Sequence, residues 1–271
     1  MVFSARVPTD DELEQHYRDY GRAWRDSPVT RRRYGELLDS FEPYRVNNRL
    51  LDFGCGAGFF LEEARRRGWQ VMGTEYGGRA LELARAKELE VIAAPIRAGA
   101  FDLGLFDVVT SFEVFEHVRD PQAEGRLVAS LLRADGLLYC TTPNFNSLSR
   151  HLLGPRWSLI QYPEHLCYFT PATIHRWLAA YGFVAESVES TGISFSRLHG
   201  AASSVKAADP GPASCRPALP GDEEMRAAIE ASAVLRAGKF AVNAALSALD
   251  LGDTLKGRFR MRAQRPSSGL V

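Results

Sequence analysis

Cysteine is scarce in this chain: Cys55, Cys140, Cys167 and Cys215 are scattered, with no C-x-x-C pair. That spacing supports neither a zinc site built on cysteines nor a disulfide framework, and a reducing cytoplasm is the simplest setting for it. An excess of charge is also missing, since 33 Lys and Arg balance 33 Asp and Glu. A formal net charge of zero argues against broad, non-specific attraction to nucleic acid, although a local basic patch would escape that argument. No run is long and apolar enough to span a bilayer. The opening MVFSARVPTDDELEQHYRDY mixes acids with polar residues and lacks the apolar core of a secretory signal. No internal repeat is found. What remains is an ordinary globular composition, 45% hydrophobic and 24% charged over 271 residues. That is enough for one large domain, or for one domain carrying a substantial insertion.

From Arg49 onward, short apolar runs alternate with segments of helical spacing. Strands are expected at Leu50–Phe53, Gln70–Thr74, Val91–Ala94, Phe106–Thr110 and Gly136–Thr141, and helices at Phe59–Arg67, Ala80–Glu88 and Gln122–Arg133. Nearly continuous apolar strands between helices predict a parallel sheet covered on both faces. Before this core, Asp10–Arg45 reads as one or two amphipathic helices carrying Tyr17, Tyr20, Trp24 and Tyr34. After it come an aromatic-rich loop region at Pro143–Phe169, a helix opening on Pro171 and a strand at Phe183–Ile193. Lys206–Glu223 is rich in Pro, Ala and Gly and reads as a connection, followed by an Ala-rich helical stretch at Glu224–Leu251. A last strand is expected at Thr254–Met261, where Leu255, Phe259 and Met261 alternate with basic residues.

The most specific element is LLDFGCGAGFF, residues 50–60. A buried strand ends at Asp52 and Phe53, the chain turns on Gly54, Gly56 and Gly58, and a helix begins. Glycines there admit positive φ and let the backbone approach a ligand, while the helix N-terminus offers free N–H groups to it. About 20 residues after the first glycine, the next strand ends in Thr74 and Glu75, and a carboxylate there can accept hydrogen bonds from ribose hydroxyls. The dinucleotide fingerprint is G-x-G-x-x-G, whereas these glycines fall at every second position behind Asp52, which disfavours an NAD(P)-dependent oxidoreductase.

The D-x-G-x-G-x-G arrangement resembles the first motif of class I S-adenosylmethionine-dependent methyltransferases. FDVVTSFEVFEHVRDP (106–121) is similar to the fourth strand and following loop of that superfamily, and LLRADGLLYCTTPN to its fifth-strand region. PEHLCYFTPATIHRWLAAYGF (163–183) resembles a segment of the small-molecule branch that includes ubiquinone-biosynthesis O-methyltransferases. The resemblance covers about residues 30–195, with an echo in the final strand. It implies an α/β, Rossmann-like sandwich with a mostly parallel seven-stranded sheet, an antiparallel last strand, N-terminal helices and a helical insertion. The corresponding division is 1–45 as a helical cap, 46–195 as the cofactor-binding core, 196–251 as linker and insertion, and 252–271 as final strand and tail. Two departures stand out: Glu75 replaces the commoner Asp, and Ala93–Gly99 lacks the acid that often contacts the adenine amine.

The cofactor implied is S-adenosyl-L-methionine, with Asp52, Gly54, Cys55, Gly56, Gly58, Glu75, Tyr76 and Phe112 as candidate contacts. Arg32 or Arg33 is the candidate for its carboxylate, although an RRR run is also an ordinary solvated helix face. Methyl transfer to a hydroxyl needs alignment and removal of a proton. His117, just past the fourth strand, and His165, in the loop after the fifth, are the candidate catalytic residues. Each could equally be a bracing residue bonded to backbone. The letters Glu113-x-x-Glu116-His117 match a divalent-metal-assisted subset of the resembled family, which implies Mg²⁺ as an optional ion; the same letters occur in relatives without a metal. The expected function is methylation of a small-molecule acceptor, O-methylation in a biosynthetic pathway first. N- or carboxyl-methylation, a protein or RNA acceptor, and a non-catalytic nucleoside-binding domain are the alternatives. No nucleic-acid partner is expected, the basic residues near the insertion are too few to favour a membrane surface, and a homodimer is compatible with the sequence.

Overall fold

The structure, a computed structural model, describes residues 1–17, 27–93, 106–193 and 232–262. At the N-terminus a two-residue strand β1 (Val2–Phe3) precedes helices α1 (Asp10–Tyr17) and α2 (Pro28–Asp39). The core begins with β2 (Arg49–Phe53), α3 (Phe59–Arg66), β3 (Gln70–Glu75), α4 (Gly78–Ala86) and β4 (Val91–Ala93). It continues through β5 (Phe106–Phe112), α5 (Pro121–Leu131), β6 (Leu132–Pro143) and the short α6 (Leu148–Leu153). Then follow β7 (Cys167–Tyr168), α7 (Pro171–Ala179), β8 (Phe183–Thr191), α8 (Ala233–Ala248) and β9 (Thr254–Met261). Tyr20, Trp24, Cys215, the connection at 206–223, part of the Ala-rich stretch and most of the segment 93–99 lie outside the described residues.

Seven strands form one sheet in the order β4-β3-β2-β5-β6-β9-β8. β2 runs parallel to β3 and β5, and β4 and β6 extend the parallel set. β9 alone is antiparallel to its two neighbours, β6 and β8. Strand alternation sends adjacent residues to opposite faces, and both faces are dry. Leu50, Val108 and Leu137 pack with Leu38, Phe41, Phe60 and Leu61 on the α2–α3 side. Leu51, Val109 and Leu138 pack with Val128, Leu131, Ile174 and Leu178 on the α5–α7 side. This explains why the sequence shows continuous apolar runs rather than alternation in β2 to β6.

Two expected boundaries shift for a tertiary reason. α5 stops at Leu131 instead of Arg133, because Leu132 pairs with Phe106 and opens β6 early. Arg133 is then free to donate through Nε to the fully buried Asp107 at 2.6 Å. Asp107 also accepts from the backbone N–H groups of Asn47 (2.8 Å) and Arg49 (3.2 Å), and these donors hold its carboxyl below the usual range despite burial. One acid thus pins the starts of β2, β5 and β6 at the edge of the sheet opposite the glycine turn. The three described cysteines are free and buried, so no disulfide joins them.

The turn from α8 into β9 lies against β8. Gly252 N–H donates to Ser190 Oγ at 3.1 Å, and its carbonyl accepts from the buried Asn144 Nδ2 at 2.8 Å. A Cβ at Gly252 would run into the backbone of Ser190 and Thr191, which cannot yield as a side chain would. Gly252→Ala should therefore lower unfolding free energy by about 1–3 kcal/mol, the usual cost of overpacking. Urea unfolding checks this: the midpoint should fall at constant slope, and an unchanged midpoint would contradict the close approach.

Candidate active site

The C-terminal ends of β2 and β3 are joined by backbone and side-chain hydrogen bonds from the glycine turn. Gly54 N–H donates to Thr74 Oγ1 (3.1 Å), Cys55 N–H to the Thr74 carbonyl (2.8 Å) and Gly56 N–H to Glu75 Oε2 (2.7 Å). The other oxygen of Glu75 accepts from Tyr76 N–H at 2.8 Å. The turn glycines all have positive φ, from 55° to 75°, and Gly58 caps α3 in the left-handed conformation. At Gly54 a second reason for glycine applies, since a Cβ would come within 2.5 Å of Val114 on the loop after β5. Burial raises the Glu75 carboxyl above its ordinary range, against the pull of its backbone donors. A backbone cradle flanked by an acid fits the adenosine portion of S-adenosylmethionine: there is no Cβ in the way, and the carboxylate can exchange toward ribose hydroxyls.

The other cofactor candidates divide. Asp52 is buried and accepts from Thr110 Oγ1 at 2.7 Å, so it ties the ends of β2 and β5 together. Phe112 closes β5 and packs against Phe60 (ring centroids 5.0 Å) and Tyr139 (5.8 Å), with Tyr34 of α2 at 6.3 Å. Arg32 is exposed on α2, paired with Glu36 at 3.0 Å as an i, i+4 couple. Arg33 is half-buried, near Lys256.

The loop after β5 and the loop before β7 bring a second set of polar groups together. Donor atoms of Glu116, His117 and His165 lie within 4.8 Å of one another. Glu113 is not in this set. The chain passes through a left-handed conformation there, φ 54°, and the charge of Glu113 still acts on Glu116. Of the expected trio Glu113, Glu116 and His117, the set holds Glu116 and His117, and His165 joins them. Two imidazole nitrogens and one carboxylate oxygen do not fit Mg²⁺, which prefers oxygen donors and retained waters. Glu116 is fully buried; its Oε2 accepts from Thr142 Oγ1 at 2.9 Å, and burial together with Glu113 raises its carboxyl well above the usual value. Burial, then the neighbouring His165, push His117 well below its ordinary pKa, so the ring is neutral near pH 7. Two residues that the sequence did not single out border this set. Glu164 has its side chain buried, with Oε2 3.9 Å from Nε2 of His16 on α1. Glu164 could have been noticed as the neighbour of His165; His16 carried no signal, because α1 reaches the site only through the tertiary fold.

Burial, opposed by the Thr110 hydroxyl and assisted by Glu75, raises Asp52 from 3.8 to about 7. A carboxyl with a raised native pKa favours the folded state at low pH, and that contribution is lost as pH rises from about 4 to about 7. Asp52→Asn keeps an acceptor for Thr110 and removes the titration. The stability of the variant relative to the parent should rise across that window and level off above it. Urea titrations at several pH values test this, and a difference independent of pH would refute it.

A family model described as a methyltransferase domain matches residues 23–188. Among curated relatives, the ubiquinone biosynthesis O-methyltransferase of Neisseria meningitidis serogroup C is 37% identical over 139 residues, 48% of this chain and 56% of that protein. The protein of the same name from Pectobacterium atrosepticum is 32% identical over 143 residues, 48% of this chain and 59% of the relative. The match spans little more than half the length of these relatives. Among solved structures, a SAM-dependent methyltransferase from Archaeoglobus fulgidus superposes with a TM-score of 0.56 at 19% identity, over 93% of this chain and 100% of the other. Phosphoethanolamine N-methyltransferase 2 of Haemonchus contortus, in complex with S-adenosyl-L-methionine, gives 0.55 at 19% identity, over 94% and 58% of the two chains. At such identities the structures speak for the fold. With the family model covering more than half of the residues on a sheet of this order, the chain belongs to the methyltransferase-domain family, the class I S-adenosylmethionine-dependent methyltransferases.

Proposed function

We propose that this chain methylates a hydroxyl oxygen on a small molecule. The observation that carries the reading is the placing of neutral, half-buried His117, with His165 against it at 4.9 Å between ring centroids, on the loop whose Val114 overlies Gly54. Groups able to manage a proton thus adjoin the turn that would hold the cofactor. An amine or carboxylate acceptor would need them less. S-adenosylmethionine, when bound, supplies an electrophilic methyl group on a sulfonium. The turn Gly54–Gly58 and Glu75 hold its nucleoside, Tyr76 and Phe112 flank it, Arg33 is the remaining candidate for its carboxylate, and Asp52 positions the strand ends. On the acceptor side, His117 and His165 ease the loss of the hydroxyl proton. The names of the curated relatives support an oxygen acceptor, within the half of their length that matches.

The direct test is incubation with methyl-labelled cofactor and a metabolite extract, following label separately into small molecules, protein and RNA. Label in a small molecule, retained as an ether, supports the reading; label confined to protein or RNA overturns it. Glu75→Ala should weaken cofactor binding by about 1.5–3 kcal/mol in calorimetry, the range for hydrogen bonds to a charged group. Unchanged affinity would remove Glu75 from the site. His117→Ala should lower single-turnover methyl transfer by about 10²–10⁴-fold with cofactor affinity nearly intact. A variant with normal turnover and an unshifted pH profile would show that His117 only braces the loop.

A further inference from the structure

A second polar cluster lies on the last strands of the sheet, apart from the histidines. Phe112 at the end of β5 is the register partner of Thr141 on β6, Thr141 of Lys256 on β9, and Lys256 of Glu189 on β8. Directly opposed residues share a face of the sheet, so these four form one row near its carboxyl edge. Arg258, two residues beyond Lys256, lies over Phe41, which sets the row on the side that α2 covers. Neighbouring strands are about 4.8 Å apart, and Lys256 therefore stands two steps, about 10 Å, from Phe112. Two other elements bring charge to the same spot: Arg33 of α2 and Lys239 of α8 both act on the Lys256 ammonium. An ordinary lysine on a strand keeps its water or pairs with an acid across the ladder. Lys256 does neither. Desolvation lowers its pKa, Glu189 opposes the shift from a distance, and Arg33 and Lys239 deepen it. Among the described residues no ion pair or side-chain hydrogen bond engages the ammonium of Lys256. Lys256 is thus short of a close counter-charge, whatever pairs Arg33 and Lys239 make elsewhere.

We propose that Lys256, with Thr141 beside it in the row, binds an anionic substituent, a carboxylate or a phosphate, on the methyl acceptor. The inference rests on the proposed function, because it narrows the class of that same acceptor. With the cofactor against Phe112, a molecule that receives the methyl group there extends along the row, over Thr141, to the lysine. The ammonium is a compact charge with three rotatable donors on a four-carbon stem, which suits either anion. Thr141 adds a hydroxyl donor from the neighbouring strand. A neutral acceptor of the same shape would leave the ammonium desolvated and without a partner. A site built for a polar group rejects an analogue that lacks it in this way, so Lys256 acts on the choice of acceptor and not on the methyl transfer itself.

The test passes the labelled metabolite extract over an anion exchanger at pH 8. The result expected is label in a retained small molecule. Phosphatase treatment, which cleaves a phosphate ester and spares a carboxylate, tells the two anions apart. With the retained fraction as acceptor, Lys256→Gln should raise the acceptor KM by about 10–100-fold with kcat nearly kept, the effect of one charge-assisted hydrogen bond. Lys256→Arg should restore most of it. Affinity for S-adenosylhomocysteine, by calorimetry on the full chain, should be the same in both variants as in the parent. Label in a small molecule that the exchanger does not retain, or a parental KM in Lys256→Gln, would overturn the anion site and leave the proposed function standing. Weakened S-adenosylhomocysteine binding in Lys256→Gln would overturn it as well, by assigning the lysine to the carboxylate of the cofactor. If no small molecule is labelled, the proposed function fails, and inorganic phosphate and acetate titrated into the chain loaded with S-adenosylhomocysteine decide the site. Binding of either that Lys256→Gln removes would retain it, and binding that is absent or unchanged would overturn it.

Discussion

The geometry at the ligand edge depends on one carboxylate. Glu75 ends its strand by accepting N–H bonds from both sides, from Gly56 in the turn after β2 and from Tyr76 in its own chain. The turn therefore cannot drift from the end of β3, and its left-handed glycines are held open toward the crevice. Strand order supplies the crevice: from β2 the chain moves outward through β3 and β4, then returns to β5 on the other side. Such a reversal leaves a gap at the carboxyl edge, where open α/β sheets take their ligands. Val114 reaches across that gap onto Gly54 and links the cofactor side to the histidine loop.

Most of the fold could be read from the residues because the sheet is buried on both sides and the runs Leu50–Phe53, Phe106–Thr110 and Gly136–Thr141 have no other use for so much apolar surface. β9 was legible to the residue for the opposite reason. Its Leu255, Gly257, Phe259 and Met261 are buried, while Lys256 and Arg260 are exposed. Its alternation marks a strand with one solvated face. That face is not solvated throughout: the Arg258 guanidinium lies over Phe41 and donates to Ser40 Oγ at 3.0 Å. Helix ends were harder, since where α5 stops depends on a pairing with Phe106 that no local pattern records.

The site was legible in proportion to how local its chemistry is. The glycine turn and Glu75 need only a strand, a turn and a strand, and spacing conveys all three. The histidine cluster and its neighbours are drawn from α1, the loop after β5, the end of β6 and the loop before β7. His165 enters from 48 positions beyond His117, a grouping that motif spacing cannot record. Tautomer is likewise invisible in a sequence. It is fixed by which carbonyl each ring meets, and those carbonyls belong to Glu164 and Leu159.

The place of β9 has a consequence for the order of assembly. It follows β8 in the chain, yet it lies inside the sheet, hydrogen-bonded along both its edges to β6 and β8. During synthesis β6 and β8 emerge first, β6 already paired with β5, and the edges that they turn to each other stay open until residues 254–261 leave the ribosome. Open edges of that kind invite pairing with other chains. A nascent chain of this protein is thus least protected late in translation, and the half carrying the glycine turn can close well before the half that holds α7 and β8 in place.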